Sequence, residues 1–432
     1  MKKILIIILL FSLFITQCLI KAQKKPSLKT TKKNSVKGRP TTRKPTIKIT
    51  TKKVIKPPTK TTARTTTKST TKPTAIKPVR LDTLPPYLKN ERIFFYFPRK
   101  YQNDLKYIFN NLSAKTGIHS EIKYDKPHKN KIAINFNEIS NGPNKVNISY
   151  NAKIPTEVYL HANVFKDVSK FMFYLGISLS LIPQVSRLDR NKYVEINYNN
   201  IKDDFKKYYN PVLISFLKRK SDFDFGSSMI PDQLFGGIND KKPTYTLKYP
   251  YNSYQKLSDN NYKYFSHNDY RLLWDFYRPN TCSDKMSLCQ NGGYPDQSCE
   301  QCECPSYFQG TQCEEIKNNL GYCGFQQIFE ATEKLDFLLL KNIGGECYYT
   351  IQSKNKKKIK IRVERLIIPD TKCSTDDFHL GILYLNDKGV EPFTICKNTT
   401  SLEFSAESSK VFIYFKITKR PNLLAVSFQE VD

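Results

Sequence analysis

No cysteine lies between Cys18 and Cys282, and no Asp or Glu occurs in the first 80 residues. The first absence leaves the middle of the chain without disulfides, so that part must hold by packing. The second means that the 22 Lys/Arg of residues 1–80 have no local partners. The remaining 48 Lys/Arg face all 39 acids, so residues 81–432 carry only +9 of the total of +31. The basic signal belongs to the N-terminal segment. Histidine is scarce as well. The five residues stand at positions 119, 128, 161, 267 and 379, and no two are four apart. That excludes a zinc site built from two His on one helix face. Long apolar runs are absent beyond Ile4–Ile15, which is too short to span a bilayer comfortably.

What is present begins with Lys2 and Lys3 ahead of that apolar run, the pattern of a secretory signal peptide over residues 1–22, with cleavage expected after Ala22. A short membrane anchor is the competing reading. Residues 23–81 are expected to be a disordered linker: Gln23 to Arg80 holds 19 Lys/Arg and 16 Thr and has too little apolar surface to offset ordering entropy. It reads as a solvated, O-glycosylated spacer or as a cationic arm for anionic glycans. The ten cysteines from Cys282 to Cys396 fit an oxidising compartment. Asn111, Asn147 and Asn398 stand in N-x-S/T sequons. The mature protein is expected to be secreted, with no membrane span and no nucleic-acid role.

Residues 82–281 read as an α+β domain. Ile93–Phe97, Lys131–Phe136 and Val158–His161 have strand character. Gln102–Lys115 has helical spacing at Leu105, Ile108, Phe109 and Leu112. Asn163 to Ile182 reads as one long apolar helix, capped by Asn163 and stopped by Pro183. An aromatic, loop-rich stretch follows from Tyr193 to Tyr277.

The segment Ser186-Arg187-Leu188-Asp189-Arg190-Asn191-Lys192-Tyr193-Val194-Glu195-Ile196-Asn197 closely resembles the one that follows the zinc helix of astacin-family metalloendopeptidases. Three further motifs occur in the family's order: Ser113–Ile118, similar to its K-T-C-I strand with Gly117 in place of Cys; Phe223–Met229, similar to its Met-turn; and Ser266, Asp269 and Tyr277, similar to its closing S-x-x-D…Y. The resemblance implies a metzincin-like fold and zinc held by H-E-x-x-H-x-x-G-x-x-H. Counted back from Arg187, the three His positions hold Phe173, Ile177 and Pro183, the Glu position holds Tyr174, and the turn glycine is Ser180. Phe, Ile and Pro offer zinc no lone pair, and a Tyr hydroxyl is far too weakly acidic to replace Glu. Phe173, Ile177 and Pro183 are therefore expected to be core residues converging above Met229, with no zinc bound. Gln184 replaces the Glu that pairs with the mature N-terminus, Pro231 replaces the Tyr after the Met-turn, and no propeptide-like F-x-G-D precedes residue 90.

Residues 282–315, with Asn291-Gly292-Gly293 after the second Cys and Cys302-x-Cys304 before Phe308-Gln309-Gly310, resemble an EGF-like module. That resemblance implies Cys282–Cys299, Cys289–Cys302 and Cys304–Cys313. A zinc knuckle is the competing reading of Cys302 and Cys304, disfavoured by the compartment. Residues 323–432 resemble a CUB sandwich, which implies Cys323–Cys347 and Cys373–Cys396, with Asp376 and Asp377 as weak calcium candidates. The sequence thus points to a non-catalytic secreted protein that binds extracellular proteins through a peptidase-like cleft and the EGF and CUB modules. An active zinc endopeptidase, and a surface protein acting through its basic arm, are the rivals.

Overall fold

The computed structural model describes residues 78–432 apart from 88–91, 216–218, 258–262, 283–284 and 286–287. The expected signal peptide and nearly all of the basic linker lie outside the described residues. The end of that linker is not irregular: β1 (Val79–Leu81) pairs in parallel with a later strand over Val212–Ile214.

The first domain is built on β2 (Arg92–Tyr96), β3 (His119–Lys123), β4 (Ile134–Ile139), β5 (Lys145–Asn147) and β6 (Thr156–His161), in the order β3-β2-β4-β6-β5. All pairs are parallel except β5–β6. The parallel strands need crossovers, and α1 (Gln102–Thr116) supplies the one from β2 to β3, burying Leu105, Ile108, Phe109 and Leu112. Its rings join a continuous aromatic core, with Phe95–Phe109 at 4.8 Å and Phe97–Phe136 at 4.6 Å.

Three local expectations are corrected. Ser113–Ile118 is not a strand: α1 continues to Thr116, Gly117 closes it in the left-handed conformation at φ 66°, and extension starts only at His119. The long helix is two helices, α2 (Ala162–Lys166) and α3 (Val168–Ser178). Asp167 lies between them with extended backbone and caps α3 by accepting from the Lys170 N–H at 3.2 Å. The stop is not Pro183. Ser180 takes φ 69°, its N–H bonds Ile177 O and that of Leu181 bonds Gly176 O, both at 2.9 Å, a Schellman closure. An apolar run shows where a buried helix lies, but not these backbone breaks.

Beyond α3 the chain runs through short turns with β7 (Val194–Ile196), β8 (Val212–Ile214) and β9 (Tyr245–Leu247), then α4 (His267–Tyr277), whose capping box joins Ser266 and Asp269. Tyr277 Oη donates to Leu179 O at 2.9 Å, so the last helix ties down the end of α3.

The disulfide-rich module has two hairpins, β10 (Tyr294–Pro295) with β11 (Cys302–Glu303) and β12 (Phe308–Gln309) with β13 (Glu315–Ile316). Disulfides join Cys282 to Cys299, Cys289 to Cys302 and Cys304 to Cys313. The last domain is a two-sheet sandwich. Its strands are β14 (Leu320–Tyr322), β15 (Ile328–Ala331), β16 (Asp336–Lys341), β17 (Gly344–Ser353), β18 (Lys358–Ile367), β19 (Phe378–Leu383), β20 (Phe393–Ile395), β21 (Thr399–Phe404), β22 (Lys410–Ile417) and β23 (Leu423–Val431). One sheet runs β14-β17-β22-β19-β20 with β15 also on β17, the other β16-β23-β18-β21. Cys323–Cys347 and Cys373–Cys396 close it.

Candidate functional site

The motif that identifies the family resemblance serves as scaffold. Arg187 binds Asp189 through Nε at 2.8 Å and Nη2 at 2.9 Å. Buried Arg190 donates to the Val185 carbonyl at 2.6 Å, to the Tyr209 carbonyl, and to Tyr198 Oη at 2.9 Å. These bonds hold the segment after α3 in shape.

Of the positions that a zinc helix would use, Phe173, Tyr174 and Ile177 are each at least 94% buried on α3, and Pro183 is buried beyond its end. Gly176, in the same turn, lies directly on Met229: a Cβ there would stand 2.3 Å from Met229 Sδ. The Gln184 N–H donates to Met229 O at 2.9 Å, so the segment after Pro183 is also tied to the Met-turn. Phe173 and Tyr174 meet Phe235, with centroids 5.0 and 6.2 Å away. Phe235 is ringed further by Phe205 at 5.3 Å, Tyr208 at 5.5 Å and Tyr209 at 6.2 Å. Sequence reasoning missed this plug. Its only signal was aromatic density from Tyr193 onward, which carries no register. Burial, with Tyr208 and Tyr209 beside it, holds the Tyr174 hydroxyl well above the usual tyrosine range. A phenol so placed cannot accept a proton at neutral pH. The residues present do not fit a zinc ion. Among the described residues no group of three or more His, Cys, Asp and Glu is placed to hold a metal ion.

β5 is an outer strand beside the cleft, and its Val146 N–H already donates to Tyr208 Oη at 3.3 Å. An open cavity of about 950 Å³ remains, lined by Phe173, Tyr174, Phe235, Tyr245 and Leu257, with Lys170, Asp167 and Asp232 at its polar parts.

Behind the Met-turn lies a buried acid cluster. Asp224 accepts from Gly226 N–H at 3.0 Å, Ser266 Oγ at 2.7 Å and Glu391 N–H at 3.2 Å. Asp269 accepts from Ser227 Oγ at 2.6 Å and Ser228 N–H at 2.9 Å. Burial raises both carboxyls above the usual range, and for Asp224 the neighbouring Asp269 adds to the rise. Glu391, contributed by the sandwich domain, is pushed up to about 8 by burial and by Asp224. Gln184, at the family's N-terminus-pairing position, is committed here as well: its Oε1 accepts from Asp224 N–H at 3.2 Å. The five histidines are scattered. His119, His128, His161, His267 and His379 each meet a different neighbour, Ser113, Phe95, Gly142, Gly292 and Thr394. Of the sequons, Asn147 is exposed and Asn111 is half-buried in α1. Asn398 is exposed, but its Oδ1 accepts from the Ile368 N–H at 2.8 Å.

No protein-family model matches the chain. Zinc metalloproteinase dpy-31 of Haemonchus contortus is 34% identical over 150 residues, covering 32% of this chain and 25% of that protein. The Brugia malayi dpy-31 is 30% identical over 187 residues, 41% of this chain and 30% of its own length. Zinc metalloproteinase nas-34 of Caenorhabditis elegans is 25% identical over 249 residues, 56% and 39% of the two chains. This chain is a homologue of the nematode astacin-type zinc metalloproteinases. It spans only 22–30% of the length of the first four of these curated relatives. Among solved structures, the astacin-type homologue resembles high choriolytic enzyme 1 of Oryzias latipes, a hatching-enzyme zinc protease, at 14% identity and TM-score 0.36, covering 45% of this chain and 94% of that one. The CUB1-EGF-CUB2 domains of rat MASP-1 match at 12% identity and TM-score 0.20, covering 33% and 46%. At these TM-scores the likenesses carry no argument.

Proposed function

We propose that this astacin homologue is a secreted, non-catalytic binding protein. The observation that carries the reading is the packing of Phe173 and Tyr174, at the first zinc-ligand and Glu positions, against Phe235. An apolar ring cluster there leaves no donor set for a metal and no base for a water. What remains is an aromatic cleft suited to apolar side chains of an extracellular protein or peptide, flanked by EGF-like and CUB modules that offer further protein contacts. Zinc, the family's cofactor, has no place in this reading. The five disulfides fit an oxidising compartment, and no helix among the described residues is long and apolar enough to cross a membrane.

The second reading, an active zinc endopeptidase, is what the relatives' names suggest. Metal analysis and a peptidase assay on the full chain separate the two. The binding protein contains far less than one zinc per chain and cleaves no peptide library. Stoichiometric zinc with chelator-sensitive cleavage refutes it.

A further inference from the structure

The sandwich domain has one apolar edge and one polar edge. In β16 the pleat buries Leu338 and Leu340 and turns Phe337 and Leu339 outward, 52% and 66% exposed, with Leu335 beside them at 55%. The strand ends its sheet, so among the described residues one side of its backbone has no ladder partner. On the same side of the sandwich the other sheet is edged by β14 and β15, as the contact between Phe329 of β15 and Phe428 of β23 shows. Leu320, Tyr322 and Ile328 are more than half exposed there, and Phe325 stands free of all cover on the turn after Cys323. The Cys323–Cys347 disulfide holds that turn to β17.

Seven large apolar side chains, each more than half exposed, thus lie within residues 320–339. Taking the lower end of the roughly 150–250 Å² of an aromatic side chain and the fractional exposures, the seven present on the order of 700 Å², spread along the edges of both sheets. The sum is of the order of the ~800 Å² that each partner brings to a stable interface. Natural edge strands are blunted by charge, proline or bulges, yet β16 reads Asp-Phe-Leu-Leu-Leu-Lys and pairs with β23 without a register shift. The opposite edge of the same sheet, β21, turns Thr400 and Ser401 outward and is met by the first domain through Tyr249 Oη on Ser401 O at 3.2 Å. The first domain also seats on β20, through Gln255 N–H to Thr394 O at 3.0 Å and Phe225 on Phe393 at 5.3 Å. The β14–β16 edge is the one these contacts leave open.

We infer that this edge is the interface of a homodimer, formed when β16 pairs antiparallel with β16 of a second copy about Leu338. A two-fold axis perpendicular to the sheet makes the strand its own partner. In that register Phe337 faces Leu339 of the other copy, and Leu339 faces its Phe337, apolar on apolar on one face. Phe325, held out by its disulfide-fixed turn, supplies an aromatic anchor at the rim. The chain's own N-terminal segment is a poor occupant, because residues 23–80 carry 19 Lys/Arg and little apolar surface. No N-x-S/T sequon falls between residues 320 and 341, so no N-glycan blocks the approach.

Sedimentation of the full glycosylated chain over a micromolar concentration series tests this. The wild type sediments as a dimer. Leu339→Lys and Phe325→Ser, both at exposed positions, keep the wild-type circular dichroism and weaken the dimer at least ~tenfold. Thr400→Lys on the opposite edge leaves it intact. A monomeric wild type overturns the inference, including one whose edge instead captures an added apolar strand peptide. So do a dimer indifferent to both Leu339→Lys and Phe325→Ser, and a dimer that Thr400→Lys dissolves equally.

Discussion

Arg271 of α4 and Asp387 of the sandwich domain form an ion pair across the domain boundary, with Nη1 2.8 Å from Oδ1 and side chains only 5% and 8% exposed. Asp387 also donates its N–H to Asp222 at 2.8 Å. With Phe393 packed on Phe225 and Tyr254, and Lys115 bonded to Glu303 at 2.7 Å, these contacts fasten the three modules to one another. The buried pair makes the domain boundary sensitive to loss of one partner. Asp387→Ala strands Arg271 and is expected to cost about 3–5 kcal/mol, whereas replacing both residues with apolar ones of similar volume is close to neutral. Urea unfolding of the single and paired variants measures the difference. Equal losses in both place the stabilisation in packing alone.

The acid cluster is expected to contribute stability that falls as pH rises. Glu391 is raised to about 8 in the folded chain, while an unfolded Glu titrates near 4.3. Between those values the folded state keeps a proton that the unfolded state has lost, so this group's stabilisation is full at low pH and is lost as pH approaches 8. His267 works the other way: burial pushes it down to about 3, so its effect on stability grows between about 3 and 6.5. Comparing wild type with Glu391→Gln cancels the His267 contribution. The wild-type melting temperature relative to the variant should decline from about pH 5 to about pH 8. A constant offset would show that Glu391 titrates normally.

The basic arm is expected to bind polyanions in a salt-sensitive way. Residues 23–80 carry 19 Lys/Arg and no acid, and exposed charges are screened beyond about 8 Å at physiological ionic strength. Retention on heparin should fall steeply with added salt and vanish when residues 23–80 are deleted. Unchanged retention after deletion makes the arm a spacer.

The sequence carried the modules because each has a marker that survives without alignment: the Arg187–Asn197 stretch, the Asn-Gly-Gly after Cys289, the paired cysteines of the sandwich. It also carried the strands of the central sheet, where alternation and apolar runs map onto burial. What it could not carry was set by backbone geometry or by distance. Ser180 closes α3 in a conformation that a serine seldom takes, so Pro183 looked like the stop. Asp167 breaks an otherwise apolar helix with its own cap. Phe235 lies some sixty positions from Phe173, and no periodicity links them. Glu391 meets the Met-turn from another domain, against Gly226, where a Cβ would come within 2.5 Å of it.

Rebuilding the zinc motif should damage this fold before it confers activity. Phe173, Tyr174 and Ile177 are 5–6% exposed, and each large apolar side chain kept from water there contributes roughly 1.5–3 kcal/mol. Writing His at 173, 177 and 183 and Glu at 174 removes that burial and places polar groups where the neighbours are the rings of Phe235, Tyr208 and Tyr209. Ligating His also need second-shell acceptors to fix their tautomer, and the buried carboxylates behind the Met-turn, Asp224 and Asp269, are already committed to Ser266 and Ser227. The quadruple variant is therefore expected to lose at least ~3 kcal/mol in urea unfolding, to bind zinc weakly and to cleave nothing. Adding Phe235→Ala opens space but supplies no second shell, so it should raise zinc uptake without producing turnover. A quadruple variant as stable as wild type, with tight zinc and chelator-sensitive peptidase activity, would mean that the site is preorganised for the metal despite its present side chains, and the aromatic plug would then be only a late filling of an intact frame.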